Sequence, residues 1–88
     1  MAGTAQRSRS ARGQHFLRSS RLADELVRAA GVAPGQLVVD IGAGHGALTR
    51  ALARAGARVL AIESDPRLAA ELREARFDVL EADAASVV

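Results

Sequence analysis

The stretch "VVDIGAGHGALTR", residues 38–50, constrains this chain more than any other. A short β-branched run ends in an acid, Asp40, and glycines follow at positions 42, 44 and 46. Leu48, Leu52 and Ala55 then recur at helical spacing. Glycines at alternate positions let a backbone turn sharply and let a neighbour come close where a Cβ would intervene. A strand that feeds a helix through such a turn belongs to a parallel α/β sheet. In such sheets ligands sit at the carboxyl ends of the strands.

The flanking segments extend that pattern. "LVVDI", Leu37–Ile41, is nearly continuous in apolar residues and suits a buried parallel strand. "RVLAIE", Arg58–Glu63, reads as a second strand, and "FDVLEAD", residues 77–83, as a third that ends in acids. Asp65-Pro66 is a helix start, with a side-chain oxygen at the cap and proline in the first turn. Leu68, Leu72 and Ala75 give that helix its stripe, and Gly56 offers the preceding helix a C-terminal stop. Upstream, Ser19 or Ser20 caps a further helix whose stripe is Leu22, Leu26, Val27 and Ala30. Gly31 closes it, and residues 33–36, "APGQ", turn. A helix followed by β-α-β-α-β is the N-terminal half of a doubly wound, Rossmann-like α/β sheet with right-handed crossovers. The first strand of such a sheet ordinarily lies mid-sheet. The chain is therefore expected to be an incomplete domain over residues 14–88, its inner edge uncovered.

Charge divides the chain unevenly. Residues 1–23 hold five arginines and no acid; residues 24–88 hold seven arginines against ten acids, a net of −3. Residues 1–13, small, polar and basic without apolar period, read as a disordered arm. Such an arm suits nucleic-acid phosphates, a partnerless tail or an organellar leader, and charge alone does not separate these. No cysteine is present, which excludes disulfides and thiolate metal sites and fits an intracellular home. No apolar run approaches the ~20 residues of a membrane-spanning helix.

Two ligand templates fit the glycine turn. Gly42, Gly44 and Ala47 meet the dinucleotide fingerprint, while Asp40, Gly42, Gly44 and Gly46 meet the acidic glycine pattern of S-adenosylmethionine sites. Asp40 favours the second: a carboxylate there can face the cationic amino-acid end of that cofactor, whereas a pyrophosphate would be repelled. Glu63, 21 positions after Gly42, is placed for two ribose hydroxyls under either template. Asp83 can accept from an adenine amino group. Each acid also has a plainer role: Asp40 as a cap of the turn, Glu63 as a partner of Arg58 or Arg67, Asp83 as a solvated loop acid. His45, inside the turn, reads as a partly exposed loop residue without catalytic work.

"GQHFLRS", residues 13–19, acquires meaning beside "DIGAGHGALT", "AIESDPRLA" and "EADAA". On spacing alone, Phe16 and Leu17 are an apolar pair that can pin the arm to the core. In that order and spacing, the four motifs resemble the ribosomal RNA adenine N-6 methyltransferases. These include the erythromycin-resistance dimethyltransferases and the housekeeping dimethyladenosine transferases of the small subunit. The wording is most similar to actinobacterial resistance-type enzymes, and the resemblance runs nearly the whole chain from Gly13.

That resemblance implies S-adenosyl-L-methionine as cofactor. It implies His15 and Leu17 near the methionine end with Gln14 and Phe16 beside them, Gly42 as first glycine of the cofactor loop, Glu63 on the ribose and Asp83 on the adenine amino group. The family most often has asparagine where His15 stands. Its catalytic motif, Asn-[Leu/Ile]-Pro-[Tyr/Phe], does not occur in these 88 residues, so no catalytic residue is assigned and the chain alone is expected to be inactive. The implied substrate is an adenine of ribosomal RNA, the large subunit (23S) ahead of the small (16S), flipped from its stack and methylated to confer macrolide, lincosamide and streptogramin resistance. A cytoplasmic monomer without metal or membrane contact completes the expectation. The rival readings are a methyltransferase of a small molecule or protein, a non-catalytic or inactive remnant, and a nicotinamide-dinucleotide domain.

Overall fold

A computed structural model describes residues 19–87. The arm, His15 and Leu17 lie outside the described residues. The elements run α1 (Ser20–Ala29), β1 (Leu37–Ile41), α2 (Ala47–Arg54), β2 (Arg58–Glu63), α3 (Pro66–Glu74), β3 (Asp78–Glu81) and α4 (Ala84–Val87). The three strands are parallel, in the order β1-β2-β3. This is the helix and β-α-β-α-β succession expected of the N-terminal half of a doubly wound, Rossmann-like sheet.

Register assigns the side chains to faces. Asp40 pairs with Ala61 and Val38 with Val59, while Ala61 pairs with Val79 and Glu63 with Glu81. Because side chains alternate along a strand, Val38, Asp40, Ala61 and Glu63 share one face. On that face α2 lies between the sheet and α1. Leu48, Ala51 and Leu52 of α2 close on Val38 from one side and on Ala23 and Val27 of α1 from the other. Alanines at 23, 51, 61 and 69 are essentially inaccessible. Their small side chains let helix and sheet approach closely, so an alanine-rich chain still packs a core.

Local signals account for the helix ends. Ser19 caps α1, its Oγ accepting from the Leu22 N–H at 3.2 Å. Asp65 caps α3 by accepting from the Arg67 N–H at 2.8 Å, with Pro66 directly after it. Gly56 closes α2: the Ala57 N–H reaches back to the Leu52 carbonyl and the Gly56 N–H to the Ala53 carbonyl. The same pair of bonds closes α3, from Phe77 to Leu72 and from Arg76 to Arg73. There the left-handed position is held by Arg76, at φ +74°, where glycine would be expected.

Three expectations need correction. The stripe of α1 centres on Ala23 and Val27; Ala30 is exposed, because the helix ends at Ala29 and the chain leaves the core there. The third strand covers Asp78–Glu81 and not residues 77–83: Phe77 is bound into the end of α3, and Asp83 starts a further short helix. Leu37 of β1 is half exposed, since no strand among the described residues lies beyond that edge.

Candidate functional site

Every buried polar or charged side chain among the described residues lies at one end of the sheet. These are Asp40 and Glu63, each 3% exposed, and the wholly inaccessible Thr49. Burying such groups is costly unless each finds a partner. Their partners show what this end of the molecule is built to hold in shape.

The glycine turn is suspended from the end of β2. The N–H groups of Gly42 and Ala43 both donate to the Ile62 carbonyl, at 2.7 and 3.1 Å. The next N–H, that of Gly44, donates to Oε1 of Glu63 at 2.7 Å. Oε2 of Glu63 accepts from the Asp65 N–H at 2.9 Å. One carboxylate therefore binds the turn after β1 to the turn after β2. Neither Arg58 nor Arg67 is its partner. Each carboxylate oxygen has two acceptor sites, so two remain on Glu63 for a ligand's hydroxyls.

The turn itself has the shape of a cradle. Gly42, Gly44 and Gly46 all have positive φ, at +76°, +60° and +90°. A Cβ built on Gly44 meets a single heavy atom within 4 Å, the Gly42 carbonyl oxygen at 3.9 Å, so the space beside this glycine is open. A Cβ on Gly46 falls 2.6 Å from Cδ2 of Leu72, a fully buried side chain of α3. The two glycines therefore do different work: Gly44 leaves room for something outside the protein, and Gly46 leaves room for the protein's own helix.

Asp40 is braced from within the fold. Oδ2 accepts from the Thr49 hydroxyl at 2.6 Å, joining the end of β1 to the first turn of α2. Asp40 lies on the helix-covered face of the sheet, and one partner it takes is a side chain of the next helix. Thr49 was not among the residues the sequence singled out. Its one signal there was a hydroxyl three positions past the last glycine, inside an apolar helical stripe. His45 stands out from the turn, its Nδ1 3.5 Å from Oε1 of Glu71, with more than half of each side chain exposed.

Asp83 follows β3 by two residues and begins α4. Its Oδ1 accepts from the Ala85 N–H at 3.0 Å, and its carbonyl oxygen accepts from the N–H and hydroxyl of Ser86 at 2.9 and 2.8 Å. The side chain is exposed at the same edge as Glu63, whose carbonyl oxygen receives the Ala82 N–H at 3.1 Å. Acids thus stand at or just past the carboxyl ends of the three successive strands: Asp40 and Glu63, both buried, and Asp83, exposed. No cluster of three or more metal-ligating side chains occurs among the described residues, and none of their helices is long and apolar enough to cross a membrane.

Comparison with known proteins places the chain in a family. The family model for ribosomal RNA adenine dimethylase matches residues 5–86. The chain belongs to the ribosomal RNA adenine dimethylase family. Its curated relatives include ribosomal RNA small subunit methyltransferase A of Caulobacter vibrioides, 43% identical over 86 residues, which are 91% of this chain and 33% of that protein. The protein of the same name from Thermotoga petrophila is 52% identical over 62 residues, 70% of this chain and 24% of the relative. An rRNA methyltransferase of Streptomyces thermotolerans is 46% identical over 71 residues, 81% of this chain and 24% of its own length. The chain thus spans a third or less of the length of these relatives. The family takes its methyl group from S-adenosylmethionine. The residues present fit that group: Glu63 and Asp83, acceptor-only when ionised, stand at the edge where hydroxyls and an amino group must be bound, and the space beside Gly44 is open.

Proposed function

We propose that this chain is the cofactor-binding, N-terminal part of an rRNA (adenine-N-6) methyltransferase, with the edge described above as its S-adenosylmethionine site. The observation that carries the reading is Glu63, a buried carboxylate at the tip of β2 that already holds the Gly44 N–H and keeps acceptor sites on both oxygens. In this reading Glu63 receives the ribose hydroxyls and Asp83 the adenine amino group. Gly42 and Gly44 pass beneath the nucleoside, and Asp40 faces the cationic amino-acid end. His15 and Leu17, outside the described residues, border the methionine portion. When bound, the cofactor supplies an electrophilic sulfonium methyl. The residues of this chain bind and orient it, and no residue here removes the proton from the target amine. The domain reading is a basic arm over residues 1–13 that meets RNA phosphates, followed by an incomplete methyltransferase domain over residues 14–88.

The substrate is ribosomal RNA, met in the cytoplasm where ribosomes are made. Support for the target divides. Relatives from Caulobacter vibrioides and Thermotoga petrophila carry small-subunit names, which puts a small-subunit adenine first. The second reading, a large-subunit adenine and macrolide resistance, draws on the likeness of the four motifs taken together to actinobacterial resistance-type enzymes, although both branches share those motifs.

Calorimetry with S-adenosylhomocysteine tests the cofactor site. Binding is expected for the wild-type protein, with at least a tenfold loss for Glu63→Gln; equal affinity of the two would remove Glu63 from the site. Labelled-cofactor methylation by the intact protein, offered small subunits and large-subunit RNA separately, assigns the target.

A further inference from the structure

Thr49 is the one wholly inaccessible polar side chain among the described residues, and valine would fill the same space. A hydroxyl at such a position is unfavourable unless it is bonded, so its partner shows what it does. That partner is Oδ2 of Asp40, at 2.6 Å, the short distance typical of a hydroxyl donating to an ionised carboxylate. The bond spans the glycine turn. Asp40 stands just before it on β1, and Thr49 just after it in the first turn of α2. The helix has no side-chain cap of its own, because its cap residue is Gly46. This side-chain contact ties the turn's two ends to each other, independently of the Glu63 bond that fixes its middle.

We infer that Thr49 is a positioning residue for the cofactor: its hydroxyl sets the orientation in which the Asp40 carboxylate meets the cationic amino-acid end. The inference rests on the reading of Asp40 given under Proposed function. A carboxylate with one oxygen fixed has lost the freedom to rotate about its terminal bond. The charge facing the ligand is then pre-oriented and need not be ordered during binding. Charge-assisted bonds of this kind are roughly twice as strong as neutral ones, so losing the hydroxyl is felt at the carboxylate first. Thr49 does not touch the ligand in this scheme; it acts through Asp40.

The test is calorimetric titration of the intact protein with S-adenosylhomocysteine, well below the melting temperature of every variant. Thr49→Val is expected to raise Kd about tenfold, the effect of one lost hydrogen bond to a charged group, while Thr49→Ser stays within about twofold. In an Asp40→Asn background, Thr49→Val should change Kd by less than about twofold, because the charge it orients is gone. A merely structural threonine would lower the melting temperature in Thr49→Val and leave Kd unmoved, which overturns the inference. Additive effects of the two substitutions overturn it as well. If Thr49→Val does not fold, Thr49→Ser and Thr49→Ala form a second pair that differs only in the hydroxyl, with the same tenfold expectation and the same contrary outcome. Wild-type protein that fails to bind S-adenosylhomocysteine defeats the cofactor reading and this inference with it. Wild-type protein that binds, beside a Thr49→Val that binds equally, defeats the inference alone.

Discussion

Between β2 and α3 the chain turns in two residues, Ser64 and Asp65; between β1 and α2 it takes five, 42–46. The shorter turn supplies its own fittings. Asp65 caps the helix with its side chain, and Pro66 fixes the backbone of the first turn. The longer turn supplies almost none. Its helix starts from a glycine with no side-chain cap, and its shape comes from Ile62 and Glu63 on the neighbouring strand and from Leu72 on the next helix. Both turns lie on the same edge of the same sheet. A turn that only reverses the chain can be specified locally. One that leaves an open face for a ligand must be held from behind, because side chains of its own would occupy that space.

The contrast predicts where substitutions hurt. Gly46→Ala should do most damage, about 3 kcal/mol of stability. It combines left-handed strain of roughly 1–2 kcal/mol with overpacking of roughly 1–3 kcal/mol against Leu72. Urea unfolding measures it, and Gly46→Ala combined with Leu72→Ala should cost less than the sum of the two singles. Should Gly46→Ala unfold like wild type, the turn would not be moulded by α3.

Glu63→Gln comes next. The two backbone donors meet different oxygens of Glu63, and in glutamine an NH2 that cannot accept replaces one of them, so about 2 kcal/mol should be lost with the second bond. The faster exchange should appear at the Gly44 or Asp65 amide. If neither amide changes, the carboxylate does not brace the two turns together.

Asp65→Ala probes the self-sufficient turn. Loss of a cap costs about 1 kcal/mol. Thermal melting should fall accordingly, while S-adenosylhomocysteine affinity moves less than in Glu63→Gln, because the backbone N–H that binds Glu63 remains. An equal loss of affinity would mean the two turns are not separable.

The smallest effect has the opposite sign. Arg76 ends α3 in the left-handed position that Gly56 occupies at the end of α2. Arg76→Gly relieves roughly 1–2 kcal/mol of strain against roughly 0.5–1 kcal/mol of added chain entropy. A net gain of about 0.5–1 kcal/mol, seen as a rise of about 3–6 °C in melting temperature, is expected. A fall would show that the arginine side chain earns its place by contacts there.

How much of this was legible beforehand follows the same division. Apolar periods fixed both sides of α2 and the spans of β1 and β2, because those patterns are read within a few residues. Asp65-Pro66 and Gly56 marked helix ends for the same reason. The error at β3 had a local cause too: "FDVLEAD" holds no glycine or proline to mark its ends, and only the bonds from Phe77 back to Leu72 and from Ala85 to Asp83 trim it to Asp78–Glu81. The helical stripe of α1 passed over Ala23 and ran on to the exposed Ala30, since period alone does not say where a helix leaves its neighbour.

The site divides likewise. Glycines at 42, 44 and 46 and acids at 40, 63 and 83 stand in the sequence, and with them the expectation of a nucleoside cofactor at the strand tips. What those acids hold in the folded chain does not. Glu63 reaches a residue 19 positions earlier, and Asp40 one nine positions later. The first bond exists because parallel pairing brings the tips of β1 and β2 side by side, the second because α2 packs back on β1. Residue types and short-range spacing are properties of the chain, so the motif and its chemistry could be read directly. The partners of buried carboxylates depend on which segments the hydrophobic core presses together, and that is settled only when the whole sheet and its helices have closed.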